Sequence, residues 1–465
     1  MPIAIHELVR RFGGAVDQHV AAVFVGAGLS VQAGLASWPD LVKPLAEELG
    51  MDPAGDLTAV AEYYEQAIPG GRERIESHLA TELSKVTTPH EGHLLVAQLG
   101  VTEVWTTNFD PLLELGWTEA VVVNKDDDAS TVGPGVPVVI KMHGGFHIDG
   151  ATPQWQAPPV ITRHDFERYD QTHPRLWAQL QASYLTRSML FLGFSFTDPN
   201  IELLLRLARR QGTATGNKHL AVLRRPADPV QVVSHNLRVR DLELNGVSVC
   251  EIAHFDELVP LLRSIRSRTR SPRLFVAGSG DPKAVADWCD HVGTRIATHH
   301  DWQVVSLAGE AGWLTSRRVG IQRKAAGTYD AEDLRLYFRH KAGEPAPVLP
   351  DRIGTAVFSD RDRRPLVDEV ISTCRAMVVI CGGDRTREEI DLALEAGLGI
   401  VPIPGSGGAA LEAWQAATAP GADPRRLVLG GHPVDPAAWE RLNNGDPFVV
   451  EQAVEDLLQQ AMYRD

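Results

Sequence analysis

Cysteine is scarce in this 465-residue chain: there are four, Cys250, Cys289, Cys374 and Cys381. No two of them form a CxxC pair, and none lies between Met1 and Val249. That pattern argues against a disulfide framework and against a structural zinc site, and it fits a reducing cytoplasm. No run of about 18 apolar residues occurs, so no membrane-spanning helix is expected. The opening stretch MPIAIHELVRRFGG has neither a long apolar core nor a small-residue cleavage site, so no export signal is expected either and the chain reads as cytoplasmic. Positive charge is also in short supply. Lys and Arg number 45 against 60 Asp and Glu, a net charge of −15. Binding to nucleic-acid phosphates needs a basic surface, so nonspecific nucleic-acid binding is excluded.

What is present is ordinary globular composition, 44% hydrophobic and 23% charged. The length exceeds what one hydrophobic core normally serves, which points to two domains. Short apolar runs such as AAVFV, VTEVWTT, VPVVIK and SMLFLGF alternate with longer amphipathic stretches, including Asp40–Glu48 and Asp56–Leu83. Strands alternating with helices imply a mostly parallel sheet covered on both faces. The alternation runs to about residue 262. An arginine-rich stretch, RSIRSRTRSPR, follows and reads as a linker. RLFVAGSG restarts the pattern, which continues through WQVVSLAG, AMVVICGG and GIVPIPGSGG to a C-terminal helix around Pro447–Met462. The expected fold class is therefore α/β, with two Rossmann-like domains at 1–268 and 269–465.

Four elements of the first half carry candidate chemistry. VFVGAGLSVQAG (23–34) ends a strand in Gly26, Ala27 and Gly28 and opens a helix. Such a turn lets backbone N–H groups approach a pyrophosphate, although a ligand-free tight turn has the same sequence. VWTTNFD (104–110) places Thr106, Thr107, Asn108 and Asp110 at a strand's C-terminal end, where open α/β sheets bind ligands; Asn and Asp also favour turns for local reasons. VPVVIKMHGG (136–145) delivers Lys141 and His143 in the same way. A histidine there is either a general base or a structural group. LFLGFSFTDPN (190–200) brings Gly193 and Ser195, and Asp198-Pro199 reads as a helix cap.

In this order and context, GAGxS, TTNFD, KMHG and GFSFTDPN over residues 10–262 resemble the sirtuin-like family, specifically its prokaryotic zinc-free branch. The chain departs from true deacetylases at Leu35-Ala36-Ser37-Trp38, where they carry a proline, an aspartate and an aromatic residue, and it lacks their four zinc cysteines. The resemblance implies NAD⁺ as substrate, with no metal. It implies that Gly26, Ala27, Gly28 and Ser30 hold the pyrophosphate and adjoining ribose. Asn108 would orient the attacking water, with Asp110 in support. His143 would act as base, and Gly193 and Ser195 would contact the adenosine side.

In the second half, RLFVAGSGDP repeats the strand and glycine turn, with Gly278, Ser279 and Gly280 as candidates for anion binding. VVICGGDRTREEID (378–391) resembles the LOG/DprA nucleotide-binding superfamily, known as SLOG. Thr386 and Glu389 match that family's motif; Cys381 and Arg385 depart from it, and Arg385 is expected to crowd the phosphate loop. The companion glycine motif is degenerate, as SLAGEAGWL (306–314). The resemblance therefore implies nucleotide binding without hydrolysis. Arg361, Arg363, Arg364 and Arg375 are candidates for contacts to ligand phosphates, against the alternative of a solvated charge-rich loop.

A sirtuin-like half followed by a SLOG half resembles the effector family of the bacterial Thoeris antiphage system. That resemblance implies an NADase activated by a cyclic ADP-ribose isomer, which a TIR-domain partner makes, and a homo-oligomer, expected as a tetramer. Two other function classes stay open on the sequence: a nucleotide-sensing module with an inactive first domain, and a zinc-free deacylase.

Overall fold

The computed structural model describes residues 2–52, 56–130, 133, 135–149, 152–196, 198–210, 218–340, 353–419 and 435–463. The chain divides into two compact units, Met1–Leu262 and Arg263–Asp465. Each is α/β, built around a parallel sheet.

The strands of the first unit are β1 (Ala21–Val25), β2 (Glu103–Thr106), β3 (Val121–Val123), β4 (Val138–Lys141), β5 (Phe146–Asp149), β6 (Thr152–Trp155), β7 (Ser188–Leu192), β8 (His219–Arg224) and β9 (Val247–Ile252). Seven of them form one sheet in the order β3-β4-β2-β1-β7-β8-β9, paired in parallel throughout. β5 and β6 form a separate antiparallel hairpin. β1 and β7 are buried along their whole length. That is why they read as unbroken apolar runs rather than as alternation. The strand order reverses around β1, with β2 on one side and β7 on the other, so the loops after β1, β2, β4 and β7 gather at one rim.

The second unit repeats the plan with β10 (Arg273–Ala277), β11 (Gln303–Ser306), β12 (Leu334–Arg339), β13 (Thr355–Ser359), β14 (Ala376–Ile380) and β15 (Gly399–Ile403). Their order is β13-β12-β11-β10-β14-β15, again parallel. The period-2 rule sorts the side chains. Leu274, Val276, Ala376, Val378 and Ile380 enter the core on one face, and Phe275, Ala277, Met377 and Val379 the core on the other. The C-terminal helix, Pro447–Tyr463, closes the first of these cores.

The linker expected at RSIRSRTRSPR is corrected by the structure. The helix Leu258–Thr269 runs through most of it. Leu258, Leu261, Leu262 and Ile265 fall at helical spacing and are buried, and the density of arginine between them conceals that repeat. The stretch Asp56–Leu83 also resolves differently, into the helices Leu57–Ala67 and Gly71–Leu83, broken where Gly70 takes a φ of 66°.

Candidate functional site

The site of the first unit begins with a backbone contact. Gly26 follows β1 and donates its N–H to Leu192 O at 2.8 Å, and Gly28 donates to Gly193 O at 2.9 Å. Gly193 has φ +61°, and a Cβ there would stand 2.6 Å from Leu29 N; one on Gly26 would stand 2.5 Å from Gly193 O. The two turns touch only because both are glycine. Beside this contact lies a cavity of about 670 Å³. Ala27, Gly28, Ser30, Asn108, Asp110, His143, Gly193 and Ser195 all line it, so the fold brings together these site residues expected of the first half; Gly26 is not among the lining residues and packs against Gly193 and Phe194. Thr197, within the fourth motif, lies outside the described residues.

Asn108 is buried, and its amide donates to Ser30 Oγ at 3.0 Å. Its Oδ1 is buried without a partner among the described residues. Its backbone N–H donates to Thr106 Oγ1 at 3.0 Å, which shapes the turn. The Asp110 carboxylate accepts from Leu112 N at 3.1 Å, a local turn that leads into the next short helix. Lys141 locks the whole segment from below. Its side chain is fully buried, and Nζ donates to Phe109 O at 3.0 Å, Asp110 O at 2.6 Å and Glu114 Oε1 at 2.7 Å. Burial pushes the Glu114 carboxyl up, and Lys141 offsets that in part.

His143 sits at the end of β4, almost fully buried, edge-on to Phe166 and Tyr169. Tyr169 is fixed by donating its hydroxyl to Met142 O at 2.8 Å. Burial holds the His143 imidazole below its ordinary value, tempered by Asp198, whose Oδ2 stands 3.5 Å from His143 Nε2. The ring is therefore neutral at pH 7, the form a general base needs. His143 Nε2 makes no hydrogen bond among the described residues.

Two contributors were not legible as such in the sequence. Asp198 does cap its helix, with Oδ1 accepting from Asn200 N at 2.9 Å and Ile201 N at 3.2 Å, but its other oxygen faces His143. His93 is buried with Nε2 3.5 Å from Ser30 Oγ, behind the Asn108–Ser30 pair. It comes from the short helix Glu91–Val96, outside the four motifs, so only the tertiary fold reveals it. The stretch Leu35-Ala36-Ser37-Trp38 also lines the cavity, where Trp38 packs 6.2 Å from Phe109. The far end is formed by Arg224, His235, Arg238 and Phe255.

In the second unit the turns after β10 and β14 are neighbours. Gly278 has φ +134°, and a Cβ there would stand 1.9 Å from Ile380 O. Ser279 and Gly280 are exposed beside it. Cys381 takes a φ of 55°, rare for a side-chain-bearing residue, and its N–H donates to Ser406 Oγ at 2.7 Å. Thr386 is buried against Gly382. Glu389 is buried and its carboxyl is pushed up to about 7, chiefly by burial, with Arg363 opposing. Arg363 bonds Glu388, reaches Glu389 Oε1 at 2.6 Å and donates to Arg385 O at 3.1 Å. The Arg385 side chain itself is exposed. Arg361 pairs with Glu369 at 2.6 Å, and Arg364 is exposed. Arg375 is a correction. It precedes β14, at the opposite end of the strand from the glycine turn, and is buried with its guanidinium on the carbonyls of Arg270 and Met462. It is a structural clamp at the base of the sheet and no part of a phosphate pocket.

Residues 102–244 match the family of the SIR2-like domain. That stretch holds Asn108, His143, Gly193 and Asp198 and most of the cavity. Among curated proteins, the chain is 31% identical over 295 residues to the protein named NAD(+) hydrolase ThsA of Enterococcus faecium, covering 58% of this chain and 60% of that one. It is 29% identical over 290 residues to the protein of that name in Bacillus cereus (strain MSX-D12), covering 58% and 59%. A more distant relative is Defense-associated sirtuin 2 of Bacillus subtilis, 25% identical over 201 residues, 40% of this chain and 19% of that one. The chain thus spans about three fifths of the length of the ThsA relatives it matches. No group of His, Cys, Asp and Glu fit to hold a metal occurs among the described residues, and no described helix is long and apolar enough to cross a membrane.

Proposed function

We propose that the chain is an NAD⁺ glycohydrolase of bacterial antiphage defence. It adds water to the nicotinamide ribose of NAD⁺ and releases nicotinamide and ADP-ribose, and a cyclic ADP-ribose isomer bound to the second unit switches it on. The observation that carries the reading is the cavity of the SIR2-like domain. Among the described residues, Asn108 Oδ1 and His143 Nε2 are both buried there without a hydrogen-bond partner. A buried polar atom left unpaired costs about 1–3 kcal/mol, so groups kept in that state are held ready for a substrate.

The geometry supports a role for each residue. Nicotinamide is cationic on its sugar and leaves readily. The protein must stabilise an oxocarbenium-like centre and deliver the right nucleophile. Asn108, anchored through Ser30, orients water with its free carbonyl oxygen. His143, neutral, takes the proton from that water or from a ribose hydroxyl. Asp198 steadies the charge that His143 then acquires. The ThsA relatives, named as NAD(+) hydrolases, support the same activity here.

For the second unit we propose a SLOG-type nucleotide sensor. Gly278 and Ser279 would face the ligand phosphates, and Arg363 and Glu389 the remainder, with Arg361 and Arg364 at the edge. The isomer would come from a TIR-domain partner, and the working form would be a homo-oligomer, a tetramer by family resemblance. The test is nicotinamide release by the purified chain with and without cyclic ADP-ribose isomers. Release that rises on addition is expected. Absence of turnover in both conditions overturns the reading.

A further inference from the structure

A site that takes an unphosphorylated adenosine commonly places a carboxylate on the ribose hydroxyls, which attracts the diol and repels a 2′-phosphate; an arginine there does the reverse. Among the described residues lining the SIR2-like cavity, the carboxylates are Asp110 and Asp198. Both stand at the Asn108–His143 end. The opposite end presents two guanidinium groups, Arg224 at the end of β8 and Arg238 on the helix Pro229–Leu244. Among the described residues neither is paired with a carboxylate. Arg224 has its guanidinium carbon over the Phe255 ring, 5.0 Å from its centre, a cation–π contact that leaves N–H groups to donate. Arg238 spends one N–H on Ser195 O at 2.6 Å and keeps the others. Glu251, the acidic residue of the adjoining strand, is engaged by His235 at 2.8 Å and Arg225 at 3.4 Å. Two uncompensated cations at one end of a cavity, in a chain of net charge −15, mark the place for a dianion.

We propose that this end holds the adenosine ribose and admits a 2′-phosphate on it, so that the site takes NADP⁺ as well as NAD⁺. The inference rests on the reading of the cavity as an NAD⁺-cleaving site and adds its substrate range. The reaction is unchanged: water adds at the nicotinamide ribose, the bond to nicotinamide breaks, and the 2′-phosphate takes no part beyond binding.

The test uses the full-length chain and two ligands it does not cleave, ADP-ribose and 2′-phospho-ADP-ribose, titrated by calorimetry. The phosphorylated form is expected to bind at least as tightly, and to lose more affinity as salt is raised. The double variant Arg224→Ala, Arg238→Ala is expected to weaken it at least tenfold, while ADP-ribose weakens less than threefold. Both side chains are exposed, so the variant keeps the fold. If ADP-ribose binds and its 2′-phosphate binds more than tenfold weaker, or if the double variant weakens both equally, the inference falls and the NAD⁺ reading stands. If neither ligand binds, the NAD⁺ reading itself falls and takes this inference with it.

Discussion

In the first unit Gly26 and Gly28 meet Gly193 across β1 and β7; in the second, Gly278 meets Ile380 across β10 and β14. Both contacts sit where parallel strand order reverses, the point at which such sheets bind ligands. The side chains around them differ in kind. Asn108 and His143 present buried polar atoms without hydrogen-bond partners among the described residues. Arg363 and Glu389 are already paired with each other. Catalysis needs groups fixed in advance and left unsatisfied for the reacting atoms. A sensor works by the reverse arrangement, because a ligand shifts an equilibrium only through interactions that differ between two states. A phosphate arriving at Arg363 would have to replace its carboxylates, and that exchange is such a difference.

The comparison breaks most visibly at Asn108 and His143. Asn108→Ala and His143→Ala are each expected to lower nicotinamide release by about 10²–10⁴, with thermal melting near that of the parent. Glu389→Ala is expected to abolish the response to a cyclic ADP-ribose isomer instead. Near-parental turnover in both first-unit variants would move the active site elsewhere.

A second contrast is in stability. Lys141→Met leaves the buried Glu114 and two carbonyls without their donor, at an expected cost of about 3–5 kcal/mol, read as a lower denaturant midpoint. Arg363→Met is expected to cost less, because the Glu389 carboxyl, already pushed up to about 7, takes up a proton instead. Equal losses would mean that Lys141 is no more structural than Arg363.

Much of this contrast was legible in the sequence, for a physical reason. Glycine turns at strand ends and polar residues just beyond them are local signals, so Gly26, Asn108, His143, Gly193 and Gly278 could be named from spacing and resemblance. His93 and the second oxygen of Asp198 were not legible, since their roles arise from contacts between distant segments. Arg375 is a different case: it directly precedes the apolar run Ala376–Ile380, whose other end carries the glycine turn, so sequence order already places it away from that turn, and its charge alone suggests a phosphate contact. The helix Leu258–Thr269 was missed because charge density outweighed a four-residue apolar repeat.

A smaller effect is expected with pH. The His143 imidazole lies below its ordinary value of 6.5 because it is buried. As pH falls through that lowered value the ring gains a proton and loses its capacity as base. The acid limb of kcat/KM for NAD⁺ is therefore expected below pH 6.5, and an acid limb above 6.5 would remove His143 from the role of base. The opposite sign applies to Glu389. Its raised carboxyl is protonated below about 7, so ligand binding in the second unit is expected to change across neutral pH while the first-unit limb does not.

The smallest expected effect separates the two oxygens of Asp198. Asp198→Asn keeps Oδ1, which accepts from Asn200 N and Ile201 N, so the cap on the helix Pro199–Arg210 survives and melting changes little. What is lost is the negative charge 3.5 Å from His143 Nε2. That charge raises the His143 value against the stronger effect of burial. Its removal is expected to move the acid limb further down in pH. It is also expected to lower kcat by about tenfold or less, since the developing imidazolium loses its counter-charge but Asn108 remains in place. The pH profile distinguishes this from a capping defect, which would lower stability and leave the limb where it was. An acid limb that moved upward, or did not move, would show that Asp198 acts on the helix alone.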